Sequence, residues 1–398
     1  MTLTSRLLPL HLGVLAQGFM LWLPVEKLFL SEIGFDAAQI GLMAAAYAAV
    51  VPVVEVFSGI LADRWSRRGV LVLSSVALSV CTLAGGLSTG VTSYIASVLA
   101  LGVYFALFSG TVDAVVYDTV LEETGGSGEF ERRVGRVRSL EAVALVTSSL
   151  AGGWVAELSS PRVTYFLSVP FALLSIVAYL RFAEPVLHRR SERGTLRAHL
   201  GTTWRAMAGG GRLVPVVLAA MLSATVTQLV FEFGPLWLVA VALPAVLYGP
   251  YWAVLESMLG LGGLLAGRFA LHRLPVLAGL LALLAGACAV LVTGGGAVWF
   301  TVAQVVLVLA TAVVTIHVLR LLHDAVPSTV RTGVASGVSA LSWLVFLPVA
   351  LLSGVLVRDA GPRAAGWLLA GCVAALAVLL VVLKPRTRLP EVQLVTRT

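Results

Sequence analysis

Ser58-Gly-Ile-Leu-Ala-Asp-Arg-Trp-Ser-Arg-Arg-Gly-Val-Leu71 is a short, charge-dense stretch set between two long apolar runs. Gly59 lets neighbouring backbones approach, and Asp63 is placed to cap or ion-pair an adjoining helix end. The arginines at 64, 67 and 68 hold the stretch on the cytosolic side of a bilayer. Taken alone it is a tight turn flanked by positive charge, but the chain repeats it. At an offset of 204 positions Gly59-Ile-Leu-Ala-Asp-Arg64 falls on Gly263-Leu-Leu-Ala-Gly-Arg268, and at an offset of 198 Arg133-Val-Gly135 falls on Arg331-Thr-Gly333. The chain therefore reads as an internal duplication.

Composition says what kind of halves these are. Hydrophobic residues make up 59% of the 398 and charged residues 12%, half the roughly 25% charged of a soluble domain. Mean hydropathy is +0.98. A bilayer-crossing helix needs about 20 mostly apolar residues, and twelve such spans are predicted, at 7–30, 38–62, 69–90, 94–121, 136–157, 163–183, 213–240, 246–268, 274–293, 297–321, 332–357 and 364–384. The net charge of +7 does not point to nucleic acid, because of where it sits: of the 27 Lys and Arg, all but Lys27, Arg162, Arg358 and Arg363 fall on one side of the predicted spans. That asymmetry places both termini in the cytosol. The first span follows Arg6 as a signal peptide would, but its apolar character runs on to Leu30, so it is read as uncleaved.

The chain divides into an N-terminal bundle of six spans (1–183), a polar, Arg-rich linker (184–212) and a C-terminal bundle of six spans with a short tail (213–398). Part of the linker, around Thr195 to Ala208, has the pattern of an amphipathic helix on an anionic leaflet. Enzyme chemistry is not indicated. No phosphate-binding Gly-x-x-x-x-Gly-Lys occurs, Gly86-Leu-Ser-Thr-Gly90 lacks the strand-turn-helix context a nucleophile elbow requires, and His317 and His323 fall on different helix faces. Cys81, Cys288 and Cys372 lie inside spans with no paired spacing, so neither a disulfide framework nor a zinc site is expected.

Gly59, Asp63, Arg64, Arg67, Arg68 and Gly69 resemble the signature loop between the second and third helices of the major facilitator superfamily, secondary transporters made of two six-helix bundles that rock about a midplane site. The resemblance implies an all-α membrane protein with cytosolic termini. It also implies that Asp63 latches the cytosolic ends of the halves near Gly333 when the protein opens outward. Two departures stand out against the family's proton-driven drug exporters. Ala106 stands where their helix-four arginine would precede Gly110, and Ser148-Ser149-Leu-Ala-Gly152-Gly153 keeps the paired glycines of the helix-five bend without its proline.

A carboxylate near the bilayer centre costs about 2.5–3.5 kcal/mol, so each needs a partner, a wet cavity or a function. In the fourth span Ser109, Asp113 and Tyr117 share a face; Asp113 either carries protons in the cavity or ties its helix to a neighbour, and Asp118 is read as an anchor. In the seventh, Thr225, Gln228 and Glu232 share a face read as looking inward, and Gly234-Pro235 should break the helix just beyond it; Glu232 is a second proton or substrate site there, or an outer-gate hydrogen bond. In the eighth, Tyr248, Trp252 and Glu256 form an aromatic stripe ending in an acid, the equipment for an amphipathic cation, unless the rings pack toward lipid. Glu26 and Lys27 lie at the outer end of the first span, mutually paired or at a gate. Arg138 and Glu141 form an i, i+3 pair, and Glu55 joins the charge network of Asp63.

The expected function is export of a small, lipophilic or amphipathic compound in exchange for protons across a bacterial plasma membrane. It needs no cofactor beyond the proton gradient, and its partners are the small-molecule substrate and the lipid bilayer. The resemblance implies a monomer. A proton symporter importing a nutrient would place more Asn, Gln, Arg and Lys in the cavity than Gln17, Gln228, Gln304 and Arg320 supply. A non-transporting receptor or scaffold on the same fold is the alternative from another class.

Overall fold

The computed structural model describes residues 3–64, 66–108, 111–125, 129–185, 213–266, 268–325 and 331–383, which are helical apart from their connections. The first half runs through α1 (Leu3–Gln17), a 3-10 turn (Leu23–Val25), α2 (Glu26–Glu32), α3 (Ala37–Arg64), α4 (Arg67–Leu87), α5 (Val91–Phe108), α6 (Thr111–Thr124), α7 (Phe130–Leu158) and α8 (Pro161–Leu180). The second half comprises α9 (Leu213–Phe233), α10 (Pro235–Ala240), a 3-10 turn (Ala245–Leu247), α11 (Tyr248–Ala266), α12 (Leu274–Thr293), α13 (Ala297–Ala325), α14 (Arg331–Ala360) and α15 (Pro362–Leu383). Among the described residues ten segments are long and apolar enough to cross a bilayer. The two expected spans that fall short have local reasons: the first is broken after Gln17, and α11 carries Tyr248, Tyr251, Glu256 and Ser257 in a short helix. Large apolar side chains on the perimeter, among them Leu158, Leu264 and Val298, are more than 70% exposed, a surface suited to lipid and not to water.

Backbone interrupted at membrane depth leaves polar groups that lipid cannot satisfy, so side chains must meet them. Ser168 of α8 accepts the Leu21 N–H (3.0 Å), and Ser148 of α7 donates to the Gly18 carbonyl (3.2 Å). Gly152 lets α7 lie against this break, since a Cβ there would come within 2.1 Å of the Leu21 carbonyl oxygen. The second half is interrupted at Gly234–Pro235, where Gln304 Nε2 donates to the Gly234 carbonyl (3.3 Å) and Tyr251 donates to Gln304 Oε1. Gln17 closes the core of the first half in the same manner. Its amide donates to Ser74 (3.1 Å) and Ser75 (3.2 Å) of α4, and its carbonyl accepts from Tyr179 of α8 (2.8 Å).

The stretch that opened the sequence reading is mostly helix. α3 continues through Arg64 and α4 begins at Arg67, because Ser66 caps α4: its hydroxyl accepts the Gly69 N–H (2.9 Å). Glu184, expected as the first linker residue, is docked on the same helix start, accepting from the Arg67 N–H (2.5 Å) and from Ser66 Oγ (2.7 Å). A carboxylate at a helix N-terminus meets free N–H groups and the positive end of the dipole. Arg67 also reaches Asp118 of α6 (2.5 Å) and the Ala114 carbonyl (3.0 Å), so Asp118 anchors α6 to α4. The side chains of Asp63 and Arg64, the surroundings of Gly59, and residues 186–212 lie outside the described residues.

The side carrying Arg6, Arg67 and Arg138 is called the basic face and the opposite side the far face. The halves meet through α3 with α14 and through α7 with α11. Their closest backbone approaches are in the far half. A Cβ on Gly41 would lie 2.6 Å from the Ala350 oxygen, one on Gly354 2.6 Å from the Ala37 oxygen, and one on Gly249 2.5 Å from the Ser149 oxygen. Small residues are what permit such contact where lipid supplies no hydrophobic drive. One continuous apolar core spans both halves there, including Trp22, Tyr47, Phe233 and Trp252. Toward the basic face, Leu213, Val217, Leu277, Val318, Val338 and Leu380 form a core that belongs to the second half alone. The halves are thus joined at the far face and separately packed at the basic face.

Candidate functional site

A chain of charges and hydroxyls closes the far face. Lys27 Nζ donates to Glu26 Oε2 (2.6 Å) and, across the boundary between halves, to Glu232 of α9. Tyr47 of α3 donates to the other oxygen of Glu232 (2.9 Å). Tyr94 of α5 donates to Glu26 (2.7 Å) and stands 2.7 Å from the Tyr165 hydroxyl of α8. Lys27 is 2% exposed, so its charge is held by these partners and not by water. The sequence reading held Glu232 as a proton or substrate site or as an outer-gate partner, and its contacts are those of the gate. The backbone break before Leu23 turns α2 so that Lys27 points at the second half. Thr225 bonds its own helix at the Met221 carbonyl (2.9 Å). Gln228 is half-buried and makes no side-chain hydrogen bond among the described residues.

Beneath the gate lies an aromatic shelf. Trp343 of α14 meets Tyr47 (6.0 Å between centroids) and Phe105 of α5 (6.4 Å), and Phe231 of α9 meets Trp252 (5.4 Å). Along α11, Tyr248, Trp252 and Glu256 follow at steps of four. Tyr248 and Trp252 are buried, and Glu256 is intermediate in exposure. Ser149 of α7 stands within hydrogen-bonding reach of Glu256, while Glu256 Oε2, Tyr248 OH and Trp252 Nε1 are buried atoms with no hydrogen-bond partner. Each such group costs about 1–3 kcal/mol. Three of them at steps of four along α11, beside Ser149, are unmet capacity of the kind a ligand supplies.

The third cluster is at the basic face. Asp113 does not stand alone on a polar stripe: Arg138 of α7 clamps both its oxygens (2.9 and 3.1 Å) and also holds Glu141 (3.1 Å). Both Arg138 and Asp113 side chains are more than 40% exposed, because the halves are apart at this end. Tyr117 is 41% exposed and packs edge-on to Phe130, away from the gate and the shelf. Arg6 ties α1 to α6 through Glu122 (3.0 Å) and Glu123 (2.5 Å). Glu55 is half-buried on α3, and the charge network expected around it involves Asp63, outside the described residues. Among the described residues no group of His, Cys, Asp and Glu is arranged to hold a metal ion.

The residues that the sequence reading left out are Tyr94, Tyr165, Tyr47 and Ser149. Nothing in their spacing marks them out, and only the fold reveals what each faces.

Two helical halves joined at one face, packed apart at the other, with charges buried at the joint, make a membrane transporter. The Major Facilitator Superfamily model matches residues 10–346, and the chain belongs to that family. It is similar to Multidrug resistance protein 1 of Bacillus subtilis (strain 168), 25% identical over 185 residues, 46% of this chain and 46% of that protein. The match thus spans about half the relative's length. In fold it is similar to the nucleoside transporter NupG (TM-score 0.76, 14% identity, 96% of this chain and 99% of that one). It is likewise similar to the D-xylose-proton symporter (TM-score 0.73, 14% identity, 96% and 98%).

Proposed function

We propose that this transporter exports a small lipophilic or amphipathic cation from the bacterial cytosol in exchange for protons. The observation that carries this reading is the buried group on α11: an acid oxygen and two aromatic heads without partners, beside Ser149 of α7. The rings would receive the apolar body of the substrate, and Glu256 its charge. The Bacillus relative's name is consistent with such cargo. The nucleoside and xylose transporters share the fold, and at their identity they say nothing of the cargo.

The gate supplies the coupling in this reading. When the far face opens, Glu232 parts from Lys27 and takes a proton. When it closes, the carboxylate returns to the ammonium and the displaced proton leaves by way of Tyr47 toward the basic face. Proteoliposomes given a lipophilic cation dye from outside should therefore release protons as the dye enters. Glu256→Gln should lower transport of the cation about 10- to 150-fold, the worth of a charge-assisted contact of about 1.5–3 kcal/mol, and leave neutral analogues untouched. Equal loss for cation and neutral analogue would remove Glu256 as the charge reader.

Asp113 takes the role of a basic-face pair with Arg138. Exposed pairs contribute about 0.2–1 kcal/mol, so Asp113→Asn should leave the Tm nearly unchanged while coupled transport falls. Dye-driven proton release at the unmodified rate in that variant would take Asp113 out of the mechanism.

A further inference from the structure

Between α1 and α8 runs a groove of about 380 Å³ that neither the gate nor the shelf uses. Its walls are apolar: Leu8 and Leu12 of α1, and Phe19 in the break that follows it, face Phe171 and Leu174 of α8. Phe19 and Phe171 stack at 4.9 Å and close its deep end. Arg181 stands at the other end, the single charged residue in its lining, exposed and with no side-chain partner among the described residues. α8 packs on helices of its own half, so the groove lies on the perimeter, where Leu8, Leu12 and Leu174 are each about half exposed.

The dimensions suit one occupant. From Phe171 to Leu180 α8 rises about 14 Å, close to half of a hydrocarbon core about 30 Å thick. The groove is therefore one leaflet deep, and its open, charged end is at the basic face. Arg181 stands where α8 leaves the membrane. Arginines at this level attract anionic headgroups.

We infer that this groove binds an anionic phospholipid of the basic-face leaflet, one acyl chain between α1 and α8 and the phosphate on Arg181. The test is native mass spectrometry of the full chain released from nanodiscs of equal dioleoyl phosphatidylglycerol and dioleoyl phosphatidylcholine. Phosphatidylglycerol should be retained about fivefold over phosphatidylcholine, and Arg181→Gln should abolish that preference with the Tm unchanged. Ala16→Phe, which fills the groove, should reduce retention of both lipids. If the variant does not fold, Leu12→Trp tests the same wall. Equal retention of the two lipids by the unmodified chain, or a preference that survives Arg181→Gln, would overturn the assignment. So would a filled groove that slows dye transport while lipid retention stays constant, which would make the groove a substrate path.

Discussion

Replacing Lys27 by Ala is expected to cost about 3–5 kcal/mol of the closed far face, the penalty for leaving buried charges without their counter-ion. Lys27 is the only cation in direct contact with Glu26 and Glu232 among the described residues, and its removal sets two carboxylates against each other. Tyr47 and Tyr94 each donate one hydrogen bond to them but bring no charge. The expected result is a large drop in Tm and a far face that stays open to water-soluble labels. Adding Glu232→Gln to Lys27→Ala should return a good part of the loss, because the repelling charge is then gone and the neutral amide still meets Tyr47. That non-additivity is the signature of direct contact. A single variant as stable as the unmodified protein, or a double variant with simply summed losses, would show that the pair does not hold the gate.

The second large effect is expected at Gly41. Its Cβ would sit 2.6 Å from the Ala350 oxygen and 2.9 Å from Gly354 Cα, so Gly41→Val cannot be absorbed by a side-chain movement. α3 itself should tolerate the change, since glycine is the weaker helix former. The strain falls only on the closure of the halves. Overpacking of about 1–3 kcal/mol shifts such an equilibrium about 5- to 150-fold, here toward the state open at the far face. Turnover should fall by that order while the substrate remains accessible from the far side. Spin-label distances between the far ends of α3 and α14 read the shift directly. Unchanged distances with normal turnover would mean that the glycine contact is incidental. Gly152→Ala offers the contrast: it presses on Leu21 within the first half, so it should lower the Tm and not the balance between states.

Different features of this chain were legible to different degrees. Spans, their alternation and the basic side follow from composition along the chain, because lipid imposes the same demand on each apolar run of about 20 residues. The interruption at Gly234–Pro235 was also readable, since proline lacks the N–H a helix needs. The eighth span was harder, because the aromatic and acidic side chains that give it a role also dilute its hydropathy. The break after Gln17 carries no proline at the point of interruption, and it is Ser148, Ser168 and Gly152, all distant in sequence, that make it tolerable.

The sequence by itself determined that this is a duplicated, polytopic membrane protein with one basic side, and it marked Asp113, Glu232 and Glu256 as costly residues. What each acid is for was decided only by tertiary structure. Asp113 is claimed by Arg138, Glu232 by Lys27 and Tyr47, and Glu256 is left with an oxygen unmet. The physical reason is that the cost of a buried charge is a property of its residue and depth, whereas its compensation comes from other helices brought alongside, 25 positions away for Asp113 and Arg138 and 205 for Glu232 and Lys27.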